Sequence, residues 1–332
     1  MTTTTMTLQQ IEALAIATLK ANGCDDENAN AIADIITRAE RDGSASHGLF
    51  RLPGYVKSMK SGKVNGTARP VIEQSLPALI SVDGNHGYAP YSLECALPVL
   101  AKAASQTGIA AMRLYNSFHF AALWPEVEYL AEQNLVGLAC TCFKPSVAPA
   151  GATQPFFGTN PLAFAWPCPG ETPVVFDMAT SRLAKGDVML AARDGHDLPD
   201  GTGLGPDGKP TNDPNEVLKG VLLPFGGYKG SAISMMVELL SSAMTGDNFS
   251  YEAEQHDNND GGPAKGGEFI IAISPQLMVG DGWSSHAGEF FEKMRALDGV
   301  RMPGARRHQN RQDTGTRQVN SALIETIESL NA

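Results

Sequence analysis

The apolar residues of this chain change their period partway along it, and that change restricts the fold more than any other feature. In the first sixty residues the spacing is helical. Thr7-Leu8-Gln9-Gln10 reads as a capping box, with Thr7 at the N-cap and Gln10 reaching back. The helix it opens runs to about Ala21 and stops at Gly23. Asp25 and Asp26 open a second helix, carried by Ala31, Ile32, Ile35 and Ile36, which ends near Arg41 before Gly43. A third helix follows His47 and ends near Gly62. From Ala78 onward the pattern alternates between strand and helix. Strands are expected at 78–82, 108–114, 135–141, 161–165, 174–176 and 269–273. Helices are expected at 91–106, 120–133, 231–245 and 284–297, with a polar amphipathic helix at about 318–330. Two stretches rich in Gly, Pro, Asp and Asn, 194–215 and 247–267, read as long surface loops. Strands alternating with helices give an α/β or α+β architecture.

The chain has 332 residues, 42% of them hydrophobic and 18% charged, enough to bury the core of two domains or one large one. Its net charge of −11 argues against nucleic acid as a partner, although a few converging arginines can still bind an anion. No run of apolar residues is long enough to span a membrane. The start, Met1-Thr2-Thr3-Thr4-Thr5-Met6, lacks the basic and apolar parts of a signal peptide. The cysteines (Cys24, Cys95, Cys140, Cys142 and Cys168) are odd in number and scattered, so they read as reduced thiols of a cytoplasmic protein. Cys140 and Cys142 have no second pair, and no metal is expected.

One literal dinucleotide fingerprint occurs, Gly203-Leu204-Gly205-Pro206-Asp207-Gly208. No strand leads into it and no helix leaves it, so it reads as a turn. A nucleotide, if bound, is bound another way.

Six other clusters can carry chemistry. In Ser44-Ala45-Ser46-His47-Gly48-Leu49-Phe50-Arg51, His47 can exchange a proton near neutral pH, and Arg51, one helical turn on, can hold a carboxylate with its planar fork. The plainer alternative is Ser46 as an N-cap with Arg51 in solvent. Asn116-Ser117-Phe118-His119-Phe120 follows a strand and opens a helix, whose first amides suit a phosphate or are simply capped. Phe157-Gly158-Thr159-Asn160-Pro161 places polar tips beside a strand, or is only a tight turn. Asp177-Met178-Ala179 precedes Lys185-Gly186-Asp187, where Asp187 can orient His47 or sit on a helix surface. Gly226-Gly227-Tyr228-Lys229-Gly230 opens an apolar helix and suits a phosphate or ribose, or is an entry loop. Arg301 to His308 holds the densest basic cluster, including Arg306 and Arg307, where a 2′-phosphate can be read.

In their order and spacing these clusters resemble the malate/L-lactate dehydrogenase family that lacks a Rossmann fold. The residues carrying the resemblance are Ser46-His47-Gly48 with Arg51, Asn116-Ser117 with His119, Gly158-Thr159-Asn160-Pro161, Asp177-Met178-Ala179, and Gly227 with Lys229-Gly230. His119-Phe120-Ala121-Ala122-Leu123-Trp124, Phe143-Lys144-Pro145-Ser146, Leu223 to Ser231 and Asp257 to Pro263 look like the branch that reduces cyclic imines. Tyr228 stands where malate-type members more often have histidine.

The resemblance implies a non-Rossmann, predominantly antiparallel sheet domain (111–289) that binds NADPH. It implies a helical domain (1–110 with 290–332) for substrate and dimerisation, in a homodimer. It implies His47 as proton donor with Ser46 and Asp187 as relay, and Arg51 and Thr159 at the substrate carboxylate. The cofactor would lie on His119, Phe120, Ala121, Ala122, Leu123, Asp177, Met178, Ala179, Lys229, Gly230, Arg306 and Arg307. The implied reaction is NADPH-dependent reduction of Δ1-piperideine-2-carboxylate and Δ1-pyrroline-2-carboxylate to L-pipecolate and L-proline. The alternative on the same fold is an NAD-dependent malate, lactate or ureidoglycolate dehydrogenase. Two further readings differ in class. A Ser-His-Asp hydrolase is disfavoured because adjacent Ser46 and His47 rarely align and no Gly-x-Ser-x-Gly elbow occurs. A non-catalytic scaffold would not bind a nicotinamide cofactor.

Overall fold

A computed structural model describes residues 2–331; Met1 and Ala332, the outer ends of the helical domain expected from the sequence, lie outside the described residues. The strand expected at 78–82 stands at 79–83, the one expected at 108–114 runs longer, to Phe118, and both belong to one seven-stranded sheet. Its spatial order is Val71–Leu76, Leu79–Asp83, Ile109–Phe118, Lys265–Ile273, Val136–Thr141, Leu162–Trp166 and Val174–Met178. The pair 79–83 with 109–118 is parallel and every other pair is antiparallel. The parallel pair is joined by the helix Ala89–Thr107, as a crossover connection requires.

The central strand 265–273 is apolar from Gly266 to Ile273 apart from Glu268, because both its faces are covered. Ile270 and Ala272 pack with Leu100, Ala104, Val127 and Leu130 of the helices 89–107 and Trp124–Glu132. Phe269 and Ile271 face the other way, onto Val237 and Leu240 of the helix Tyr228–Glu238 and its π-helical continuation Leu239–Ala243. This is the period-two alternation of a strand. A second core joins the N-terminal helices Leu8–Ala21 and Asp26–Arg41 to the C-terminal helix Ser321–Ser329 through Ile11, Leu19, Ile32, Ile36, Val319 and Ile327. Thr7 and Gln10 form the expected capping box.

Several expectations need correction. The threonine-rich start forms a strand, Thr3–Met6, paired with Arg317–Asn320, so the last helix begins at Ser321 instead of about 318. β-branched threonines suit a strand, but the partner lies over three hundred residues away. The stretch 194–215 is not a plain loop. Gly203–Leu204, Pro210–Thr211 and Val221–Leu222 form a small sheet that buries Leu198, Leu204 and Val217. The fingerprint glycines make its hairpin, where the Gly205 N–H donates to the Lys209 carbonyl. The loop 247–267 contains a helix, Ser250–Gln255. Helices at Lys185–Asp194 and Ala305–Gln312 carry no sequence expectation.

The helix 305–312 is anchored by one side chain. Arg311 donates to both Glu128 carboxylate oxygens at 2.7 and 2.8 Å and to Asp42, which has no exposure, at 2.6–3.0 Å. Burial alone would raise the Asp42 carboxyl, but Arg311 and Arg41 outweigh it and hold it below the usual carboxylate range. Its contribution to stability is therefore complete above the unfolded value and fades as pH falls through the lowered one. Arg311→Met leaves Asp42 buried with Arg41 alone, and a loss of about 3–5 kcal/mol is expected. Urea unfolding measures this, and a change below about 1 kcal/mol would show the network to be surface-like.

Candidate active site

Ser44–Arg51 does not open an α-helix directly. It makes two successive 3-10 turns, Ala45–His47 and Leu49–Arg51, and the helix Leu52–Lys60 follows. The turn is pinned from behind by the buried Glu40 side chain, which accepts the Leu49 N–H at 2.8 Å. A Cβ at Gly48 would collide with the Glu40 carboxylate, so a side chain there would displace the group that pins the turn. Ser46 Oγ is 3.2 Å from His47 Nδ1. Burial, then the positive charge of Arg51 and the neighbouring His119, pushes His47 down to about 3. His47 is therefore a neutral imidazole at neutral pH.

His47 and Thr159 stand where two cavities meet. The smaller, about 270 Å³, has apolar walls of Phe120, Phe143, Pro161 and Met189. The Phe120 and Phe143 rings stack with an interplanar angle of 3°. Arg51 projects into this cavity with its guanidinium 4.6 Å from the Phe120 ring centre. Its Nε is buried without a hydrogen-bond partner. Lys185 lines the same space, and among the described residues neither Arg51 nor Lys185 forms an ion pair. Burial lowers Arg51 to about 10 and lowers Lys185 as well, with Lys144 and Arg51 adding to the effect on Lys185. Lys144, also in the lining, is paired with Asp257 at 2.6 Å. A Cβ on Gly186 would lie 2.8 Å from Arg51 Nη2, so the start of helix 185–194 packs tightly against the arginine.

Thr159 is held by its neighbours. Its carbonyl accepts the Thr180 N–H and hydroxyl, at 2.8 and 3.0 Å. Asn160 (φ 40°) donates from Nδ2 to the Ser234 carbonyl and to Glu238.

The larger cavity, about 520 Å³, shares His47, Ala121, Thr159 and Pro161 with the smaller one and takes in Ser46, Ala122, Leu123, Asp177, Met178, Ala179, Asp187, Arg306 and Arg307. It runs on into a further groove of about 360 Å³ that includes Arg301. Residues 119–123 are irregular, and the helix expected from 120 starts at Trp124. Its first amides are not free for a phosphate. Asp177 Oδ2 accepts the Leu123 and Trp124 N–H groups at 2.8 and 3.0 Å. Arg307 donates to the Val175 carbonyl at 3.0 Å and lies over Trp124, while Arg306 is exposed in the groove. Asp187 is exposed in the first turn of helix 185–194, and among the described contacts its carboxylate makes no hydrogen bond to His47. Lys229 is exposed and Gly230 lies under the Phe225 carbonyl; neither is among the residues lining these cavities.

Sequence reasoning missed the acidic setting of His119. His119 Nε2 lies 3.5 Å from Glu268 and 3.7 Å from Glu126, both buried. His119 Nε2, Glu126 Oε2 and both Glu268 oxygens lack hydrogen-bond partners. Burial opposes charge on His119, but Glu268 and Glu126 outweigh it and raise its pKa. Burial pushes Glu268 up to about 8, opposed by His119 and reinforced by Glu126 and Asp177. An acid inside the apolar run of strand 265–273 was the available signal; its partners are distant in sequence.

The chain is similar to known proteins in sequence and in fold. A profile of the family described as malate/L-lactate dehydrogenase matches residues 6–328. The chain is 44% identical over 330 residues, covering 98% of it and 97% of the relative, to a Δ1-pyrroline-2-carboxylate reductase of Ancylobacter novellus. It is 44% identical, over 91% of this chain and 89% of the relative, to a Δ1-pyrroline-2-carboxylate/Δ1-piperideine-2-carboxylate reductase of Pseudomonas putida. The crystal structure of Δ1-piperideine-2-carboxylate reductase from Pseudomonas syringae pv. tomato superposes with a TM-score of 0.92 at 41% identity, over 98% of this chain and 99% of that one.

Proposed function

The chain belongs to the malate/L-lactate dehydrogenase family, and from that premise we propose that it is an NADPH-dependent reductase of Δ1-piperideine-2-carboxylate and Δ1-pyrroline-2-carboxylate, forming L-pipecolate and L-proline. The observation that carries the reading is the unpaired Arg51. In a protein of net charge −11, a guanidinium sunk in a small cavity with apolar walls has no ion-pair partner among the described residues. An anionic substrate supplies one, gripped by two parallel hydrogen bonds. The flat walls of Phe120 and Phe143 suit the ring methylenes of a cyclic imino acid.

The residues fit a dinucleotide in the larger groove. It is long, and its far end gathers Arg306, Arg307 and Arg301, where guanidinium forks match phosphate oxygens. Exposed Arg306 supports a preference for the extra phosphate of NADPH. A bound reduced nicotinamide supplies hydride to the imine carbon. Arg51 and Thr159 fix the substrate carboxylate at the junction of the cavities. His47 faces the same junction and hands a proton to the ring nitrogen. Ser46, 3.2 Å away, orients the imidazole. We assign Asp187 to the electrostatics of the groove, since it is exposed beside it.

A homodimer is part of the reading. The helix Trp283–Arg295 buries none of its residues, and with Leu277, Met278 and Val279 it leaves an apolar face that a second copy would cover. A cytoplasmic setting is supported by five unpaired cysteines. Among the described residues no helix is long and apolar enough to cross a membrane.

Steady-state rates on the two cyclic imines, pyruvate and oxaloacetate, each with NADPH and NADH, test the assignment. With NADPH, kcat/KM on an imine is expected to exceed that on either keto acid by roughly tenfold or more, a difference of about 1.4 kcal/mol. Faster turnover of a keto acid with NADH would replace the reading with that of a 2-hydroxy acid dehydrogenase.

A further inference from the structure

Hydride addition to a C=N carbon forms a C–H bond and leaves the electron pair of the broken π bond on nitrogen. One proton per turnover must close that nitrogen as N–H. His47, neutral in the free protein, can pass such a proton but does not store one. Resting on the reductase reading above, we propose that Glu126, Glu268 and His119 form a proton-entry route that reloads the substrate cavity from the far side of helix 124–132.

The geometry supplies both ends of the route. His119 lines the small cavity together with His47. Glu126, only 3% exposed, also lines a separate cavity of about 500 Å³ whose rim carries Glu12, Asp34, Arg38 and Glu94. Between the two cavities lies the 3.7 Å gap from Glu126 to His119, and Glu268 stands beside it, 3.5 Å from His119. His119 Nε2, Glu126 Oε2 and both Glu268 oxygens are buried without other hydrogen-bond partners, so small side-chain shifts bring them into the hydrogen-bond contact that transfer requires. His119 faces Glu268 from strand 265–273, Glu126 from helix 124–132, Asp177 from strand 174–178 and His47 from the 45–47 turn. Glu126 also faces Tyr55. The carboxylates outnumber the cations around His119, so the cluster keeps a proton at neutral pH. In each cycle His47 gives its proton to the substrate nitrogen and takes one from His119. The imidazole regains it from the carboxylic acid of Glu268 or through Glu126, and water in the outer cavity restores it.

The test uses Glu126→Gln, Glu126→Ala and Glu268→Gln in the full-length enzyme. With whichever acceptor the wild type reduces, kcat is expected to fall about tenfold or more in each variant, with KM within threefold and a larger solvent deuterium isotope effect. Formate or acetate, small enough for the outer cavity, should restore much of the rate to Glu126→Ala and none to Glu268→Gln. NMR titration of His119 in the unliganded wild type should place it above the ordinary value of about 6.5, and Glu268→Gln should lower it. Unchanged kcat and isotope effect in Glu126→Gln would overturn the route. So would a wild-type His119 that titrates at or below the ordinary value, a result that holds even if a variant fails to fold. A wild type that reduces keto acids and ignores imines would sink the substrate assignment and leave this test intact, because the alkoxide formed there needs the same proton.

Discussion

Alanine at position 47 is expected to lower kcat by about 10²–10⁴-fold, the usual worth of a positioned proton donor, while KM for the imine stays within a few fold. The split follows from geometry. His47 stands with Thr159 at the junction of the two cavities, whereas Arg51, whose charge grips the carboxylate, lies on the wall of the small one. The fold should tolerate the change. Among the described residues the His47 ring makes one side-chain hydrogen-bond contact, to Ser46, and the turn itself is held by Glu40 and Gly48. The pH behaviour has a definite sign. The folded pKa of His47 lies far below its unfolded value, so the stability linked to it is complete above about 6.5 and is lost as pH falls toward 3. His47→Ala should therefore make the protein less sensitive to acid over that window, as denaturant midpoints would record. Because His47 stays neutral above it, the alkaline limb of kcat should belong to the His119 cluster and survive in residual His47→Ala activity. A variant that retains kcat within threefold would remove His47 from the chemistry.

The sequence carried the local half of this site and little of the distant half. Ser46-His47-Gly48 and Arg51 were legible because they occupy one turn, where spacing alone makes them neighbours. Thr7 and Gln10 were legible for the same reason. The pairing of Thr3–Met6 with Arg317–Asn320 depends on chain ends meeting in space, and no local pattern records that. Glu126 and Glu268 escaped notice because an isolated acid in a helix or strand most often faces water. Here the helix 124–132 and the strand 265–273 turn them inward onto His119. Asp177 was legible as a functional residue and misread in detail: its carboxylate caps the helix whose free amides looked like a phosphate site. The helix 305–312 was invisible, yet it delivers Arg306 and Arg307 to the groove, and it does so through Arg311.

Arg51→Met should separate binding from stability, with opposite signs. Losing one partner of a desolvated, hydrogen-bonded charge pair costs about 2–5 kcal/mol, which is roughly 30- to 5,000-fold in kcat/KM. Most of it should enter through KM, because the guanidinium holds a carboxylate that is charged in both the ground and transition states. Arg51→Lys should recover only part of the loss, since an ammonium keeps the charge without the planar fork. The unliganded protein should respond the other way. Arg51 is a cation under desolvation strong enough to lower it to about 10, with no ion-pair partner among the described residues and an unpartnered Nε. A methionine packed on Phe120 removes that penalty, so the melting temperature of the free variant should equal or exceed that of the wild type. Pyrrole-2-carboxylate, a planar anion that cannot accept hydride, closes the comparison. At a hundred times its Kd it should stabilise the wild type by about 2.7 kcal/mol and leave Arg51→Met unmoved. A variant that melts well below the wild type would mean that Arg51 holds the fold together, and its bareness in the cavity would then no longer point to a substrate.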